Sequence, residues 1–178
     1  MLKPYIIAFL LEALVISAFA QTDQDINIDN SFKDTNSYAI LSISEFKIYA
    51  LDSTYTPAKL TEKEIKVVEK LFFKAIEDYN ANMSKFIDST YKTSKERSEM
   101  KNDLLIPIYR IFYRKQLLPA FNKKGEKEVY IKCAAGRSSE DFWKYDLFQV
   151  MDGGNLYFTL RVNITQGTFY DTTIGGYG

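Results

Sequence analysis

The side chains best suited to chemistry in this chain are carboxylates. It contains no histidine, and so lacks the commonest general base and the commonest metal ligand. Glu140 and Asp141 lie in a loop-like stretch with Arg137 and Trp143, and Asp146 and Asp152 lie on or after the segment that follows. Two such groups held roughly 5 to 10 Å apart would serve as a glycosidase-like acid and base. No spacing forces any two together, so a carboxylate-dependent hydrolase of an extracellular polymer is the alternative reading rather than the leading one. Cys133 is the single cysteine, which excludes an internal disulfide and any multi-cysteine metal site. Its place among Val129, Ile131 and Ala135 predicts a buried structural thiol. Asp23, Asp25, Asn27, Asp29 and Asp34 match ligand positions of a calcium loop, but Ile28 stands where that loop needs glycine. The sequence therefore assigns no catalytic residue, metal or cofactor.

The second useful set is aromatic and basic. Leu156, Phe158, Leu160, Val162 and Ile164 alternate with Tyr157, Thr159, Arg161 and Asn163, the pattern of a half-buried antiparallel strand. Its outward side chains would stand beside Tyr130, Lys132 or Tyr170 if the strands align. Such a face could stack on a sugar or meet a protein partner. The leading expectation is thus a non-catalytic binding or structural module whose candidate surface is Tyr130, Lys132, Tyr157, Arg161 and Tyr170. Lysines plus arginines equal aspartates plus glutamates at 23 each, so no basic footprint points to nucleic acid.

These residues need elements to position them. Residues 1–20 read as a signal peptide: Lys3 gives a positive start, Tyr5 to Phe19 is largely apolar despite Glu12, and Ala18-Phe19-Ala20 fits a cleavage site. Export to the periplasm or the medium follows, with no integral membrane segment after cleavage and a cell-envelope protein or polysaccharide as partner. Residues 21–37 read as a flexible polar leader, and 38–178 as one α+β domain, of a length that allows a sizeable core. "SYAILSISEFKIYAL" predicts a first strand. Thr61 and Glu64 form a capping box, Leu60 and Ile65 a hydrophobic staple, and Ile65, Val68, Phe72, Ala75, Ile76 and Tyr79 one apolar helix face from Glu62 into the eighties. Residues 85–103 read as a solvated helix end or connection.

From Pro107 the period becomes two. "YRIFYRKQLLPAF", "EVYIKCAA", "FWKYDLFQVM" and the alternating segment read as strands, with "TQG" turning the last into "TFYDTTI". Asp152-Gly153-Gly154-Asn155 reads as a hairpin turn, because glycine and asparagine accept positive φ and no helix follows to hold a phosphate. The expected fold is one long helix on a curved antiparallel sheet of about five strands, in the order β-α-β-β-β-β.

That order resembles cystatin-like folds. Gln149-Val150-Met151-Asp152-Gly153 is similar to the Q-x-V-x-G of inhibitory cystatins, with Met151 in place of valine, and implies protease inhibition as a third, lesser reading. "KKGEKEVYIKCAAG", "FWKYDLFQVMDGGNLYFTLRVNIT" and "GTFYD" also resemble a family of small exported bacterial proteins of unassigned function, over about Tyr113 to Asp171. This likeness implies a fold and an exported context, and carries no catalytic residues.

Overall fold

The structure, a computed structural model, describes residues 29–33, 37–46, 48, 51–136, 141–148 and 153–175. The expected signal, residues 21–28 of the leader, four of the five calcium-loop positions (all but Asp29), Gln149 to Asp152 of the cystatin-like motif, Arg137 and Glu140 lie outside them. Among the described residues no helix is long and apolar enough to cross a membrane. The elements run β1 (Tyr38–Ile40), β2 (Thr56–Pro57), α1 (Glu62–Thr90), α2 (Ser94–Leu104), β3 (Tyr113–Phe121), β4 (Lys127–Ala135), a 3-10 turn (Phe142–Lys144), β5 (Gly154–Asn163) and β6 (Thr168–Gly175). The sheet order is β1-β3-β4-β5-β6, with β2 also on β3. The architecture is α+β as expected, but the sheet has six strands and is mixed, because β1 runs parallel to β3. The first strand is also far shorter than its β-rich sequence suggests.

Helix α1 begins where the capping box places it. Thr61 Oγ1 accepts from the Glu64 amide and the Glu64 carboxylate accepts from the Thr61 amide, satisfying donors that a helix start leaves open. Leu60 and Ile65 pack beside the core as the staple requires. Val68, Phe72, Ala75 and Ile76 are buried against Leu117, Val129, Ile131, Phe158, Leu160 and Val162, so the helical stripe meets the inward sets of β3, β4 and β5. Phe72 stacks on Phe158 at 6.1 Å. Cys133 is fully buried in this layer, as its phase predicts.

Three stretches depart from expectation, each for a local physical reason. Residues 29–33, expected to be leader, are part of the domain. Asn30 donates to the Ile108 and Ile111 carbonyls and accepts from the Tyr113 amide, while Phe32 is buried on Tyr38 and Phe72. Phe32 also lies over the ammonium of Lys115, at 5.3 Å. That lysine is fully buried and donates to the Tyr113 carbonyl, a contact with ring and carbonyl that offsets the cost of removing a cation from water. Second, the charged run after α1 contains the separate helix α2. It buries no residue and is started by its own capping box of Thr93 and Glu96.

Third, "FWKYDLFQVM" is not a strand over its described residues. Strand β4 pairs directly with β5, Ala134 opposite Tyr157, which leaves no slot between them. The segment lies instead across the sheet face opposite α1. Trp143 and Phe148 stack there at 6.2 Å and are buried with Leu41, Leu118 and Ala134. The buried Gln116 side chain donates to the Trp143 and Asp146 carbonyls and accepts from the Phe148 amide, satisfying backbone groups that a ladder would otherwise have paired. The hairpin expected at residues 152–155 is overturned with that strand, and Asp152 itself lies outside the described residues. Gly154, at φ +50°, opens β5 and pairs with Gly175 of β6, and the Asn155 amide ties β5 to the end of α2 through the Asn102 and Leu105 carbonyls.

If residues 29–33 are part of the fold, Asn30→Ala leaves buried backbone groups unpaired and lowers unfolding stability by about 2 to 3 kcal/mol. Thr61→Ala at the helix cap costs about 1 kcal/mol. Urea denaturation of the two variants compares these; a smaller loss for Asn30→Ala returns the segment to the status of a leader.

Candidate functional site

The alternation that sends Val129, Ile131 and Cys133 towards α1 sends Glu128, Tyr130 and Lys132 to the opposite face, and β5 adds Tyr157, Thr159, Arg161 and Asn163 there. The register places Tyr130 opposite Arg161, and Arg161 opposite Tyr170 of β6. The Arg161 guanidinium lies 5.7 Å from each of these ring centres. Three of the five candidate residues therefore form one ladder across β4, β5 and β6. Lys132 and Tyr157 form a second group nearer Trp143. The Lys132 ammonium lies 6.0 Å from the Tyr157 ring and donates to the Phe148 carbonyl at 2.6 Å. All five are half-buried, and Tyr130 and Tyr157 pack against the layer of Trp143, Phe148, Ile43, Phe46 and Ile48 on this face. Burial moves the proton affinities of this layer: it lowers that of the Lys132 ammonium, and it raises that of the Tyr157 phenol, with Tyr130 adding to the rise.

Glu128, which was not among the expected site residues, organises the ladder's end. The residue is 5% exposed, and its carboxylate accepts from the Tyr55 hydroxyl at 3.0 Å, the Tyr170 hydroxyl at 2.6 Å, and the amides of Asn122 at 2.7 Å and Asn163 at 3.2 Å. The Tyr55 oxygen also receives an Arg161 N–H at 3.4 Å, and Arg161 Nε lies 3.5 Å from the Asp171 carboxylate. A buried carboxylate with this many donors is the satisfied condition that burial of charge demands. Burial first, and then the bond to Glu128, push the Tyr170 phenol above its ordinary range, and the same two causes raise Tyr55.

Glu128 was within reach of the sequence, since it keeps the same two-residue phase as Tyr130 and Lys132. Tyr55 was not, because it lies in a loop with no period to assign its direction.

Of the carboxylates considered for a hydrolase, Asp141 and Asp146 are among the described residues, and each has a local partner of its own. Asp141 pairs with Lys144 at 3.1 Å, and Asp146 accepts from the next backbone amide, that of Leu147. Two other carboxylates do converge. Glu126 and Glu128 both accept from the side-chain amides of Asn122 and Asn163. Hydrogen bonds from Asn122, Gln166 and Asn163 hold the Glu126 carboxyl below its ordinary range, so that group favours the ionised state and is a poor proton donor at neutral pH.

Beside the ladder lies an open cleft of about 450 Å³ lined by Ile43, Phe46, Ile48 and the run from Leu51 through Asp52 and Ser53, with Tyr55. Ile43, Phe46 and Ile48 also pack against the cluster that contains Tyr130 and Tyr157. Tyr55 thus belongs to both the cleft and the Glu128 network.

A phenol whose folded pKa lies above its unfolded value holds its proton more tightly when folded. Its contribution to stability is full below the ordinary pKa of 10.0 and falls as pH rises above it. Phenolate absorbance should therefore show Tyr113, Tyr157 and Tyr170 ionising only above that range or together with alkaline unfolding, and Tyr170→Phe should remove one late-titrating group. Ordinary titration of every tyrosine in the folded protein would contradict the network. No protein-family model, curated protein or solved structure matches the chain.

Proposed function

We propose that this chain is an exported, non-catalytic binding protein of the cell envelope or secreted fraction, and that the cleft lined by Ile43, Phe46, Ile48 and Tyr55 takes an extracellular polysaccharide. The observation that carries this reading is the position of Tyr55. Its ring lines the cleft while its hydroxyl is fixed by Glu128 and Arg161, so a ligand meets an aromatic surface already held in place. Preorganisation of this kind reduces the ordering that binding must otherwise supply. Phe46 offers a second ring and Asp52 a polar edge, the combination with which proteins stack on and orient sugar rings. The signal-like residues 1–20 support the exported setting, as does the resemblance over Tyr113 to Asp171. The run of antiparallel strands after a long helix supports a cystatin-like reading of the fold. In this account Tyr130, Arg161 and Tyr170 support the site from below, and Lys132 and Tyr157 anchor its cover.

The test is affinity electrophoresis of the full chain against a panel of envelope and capsular polysaccharides. Retardation by one of them should be weakened about ten-fold by Phe46→Ala and also reduced by Tyr55→Phe, which keeps the ring but releases it from Glu128. Binding that neither change affects would place the ligand elsewhere. Retention of an envelope protein alone, lost in the same variants, would replace the polysaccharide with a protein partner.

A further inference from the structure

Among the described residues, strand β6 ends the sheet order and pairs on one side only, with β5. None of its residues is buried. Alongside it, α1 and β6 form the walls of a groove of about 450 Å³. Tyr79, Met83 and Phe86 line it from the helix, and Phe169, Asp171 and Thr172 from the strand. The helical residues fall at the spacing that keeps one face in line along the axis. Phe86 is 54% exposed, an aromatic ring in water beside an open sheet edge.

The strand wall has an unusual local geometry. The β5–β6 register slips between Thr159 and Arg161, and Asp171 adopts φ +54°. An irregularity of this kind breaks the alternation of side chains, and here four successive residues, Phe169, Tyr170, Asp171 and Thr172, line the same groove. It also interrupts the flat edge that would otherwise invite indiscriminate sheet pairing. The opening that results suits a short strand better than a long one.

Charge narrows the occupant. Asp78 lines the groove from α1 and Asp171 from β6. Asp171 is 60% exposed while pairing with Arg161 beneath it, and Asp78 accepts only a long 3.3 Å bond from Asn82. Lys74, at one end, lies over the Phe169 ring at 5.9 Å. A second copy paired antiparallel about the middle of β6 would bring the two Asp171 carboxylates close to each other. A basic segment would instead place a cation between Asp78 and Asp171.

We propose that the groove between α1 and the edge of β6 binds an extended segment of a partner protein that adds as a short strand to β6, seating an apolar side chain on Phe86 and Met83 and a lysine or arginine between Asp78 and Asp171. Main-chain hydrogen bonds supply affinity in such strand addition, and the pockets for alternate side chains supply selectivity. This surface shares Tyr170 and the Asp171–Arg161 pair with the network beneath the polysaccharide cleft, but it has its own lining on α1 and does not require a ligand in that cleft.

The probe is a set of fluorescein-labelled extended peptides carrying one leucine or phenylalanine and one lysine or arginine at alternating positions, tested on the full chain by fluorescence polarisation. The basic-apolar peptides should bind, and their affinity should fall about ten-fold or more on Phe86→Ser, on Asp171→Lys, or on N-methylation of the peptide backbone. Phe46→Ala in the cleft should leave it unchanged. Phe86 is exposed, so circular dichroism should confirm that Phe86→Ser folds normally. No binding by any peptide, equal binding of glutamate-substituted peptides, or binding indifferent to Phe86→Ser and N-methylation would overturn the proposal. A concentration-dependent dimer in sedimentation that Phe86→Ser dissolves would overturn it in favour of self-association.

Discussion

The arrangement depends on a sheet that is covered on both faces, and Gln116 is the residue that holds the second cover. Covering the face opposite α1 brings backbone from an irregular segment into a dry layer, where unpaired carbonyls and amides are costly. The Gln116 amide meets that demand with both of its functional ends, at the carbonyls of Trp143 and Asp146 and the amide of Phe148. Lys132 adds a charged donor to the Phe148 carbonyl, and Arg114 lies over the rings of Trp143 and Phe148. Polar side chains at alternate positions of two central strands thus tie down a segment that makes no ladder of its own.

This cover changes the meaning of the aromatic and basic residues on β4, β5 and β6. On an open sheet they would form a flat, wet surface. Beneath a partial cover they become a fixed network, with Arg161 between two tyrosine rings and Glu128 gathering four donors at its end. The cleft at the margin opens to solvent, and there Tyr55 joins the network to Ile43, Phe46, Ile48, Leu51 and Asp52. On the proposed reading, binding is a property of the boundary between cover and sheet rather than of the strand face itself.

Where local physics acts alone, the sequence was legible. The capping box at Thr61, the stripe through Val68, Phe72 and Ile76, the alternation of β5 from Phe158 to Val162 and the inward phase of Cys133 depend on neighbours a few residues away, and each has the form its pattern predicts; at the ends of the alternation Leu156 is exposed and Asn163 buried. The box at Thr93 is the same signal, hidden by a run of charges with no apolar stripe. Long-range interactions were harder to see. Asn30 and Phe32 lie in a polar run and are ordered by partners about 40 to 80 positions away, while Trp143 and Phe148 sit in a strand-like composition that finds no strand to pair with. The candidate set followed from period-two phase, which found Tyr130, Lys132, Tyr157 and Arg161 on one face but could not reveal the loop that supplies Tyr55 or the segment that covers them.

Trp143 is the only tryptophan in the chain, and it lies at the centre of the second cover with 2% of its surface exposed. Its fluorescence therefore reports directly on the central claim that this face is a packed layer. The account predicts blue-shifted emission with little acrylamide quenching in the folded protein, and a red shift with easy quenching in Gln116→Leu while the far-ultraviolet circular dichroism stays folded. Emission from the unmodified protein at the position of the unfolded chain, freely quenched, would contradict it and return the strand face to solvent.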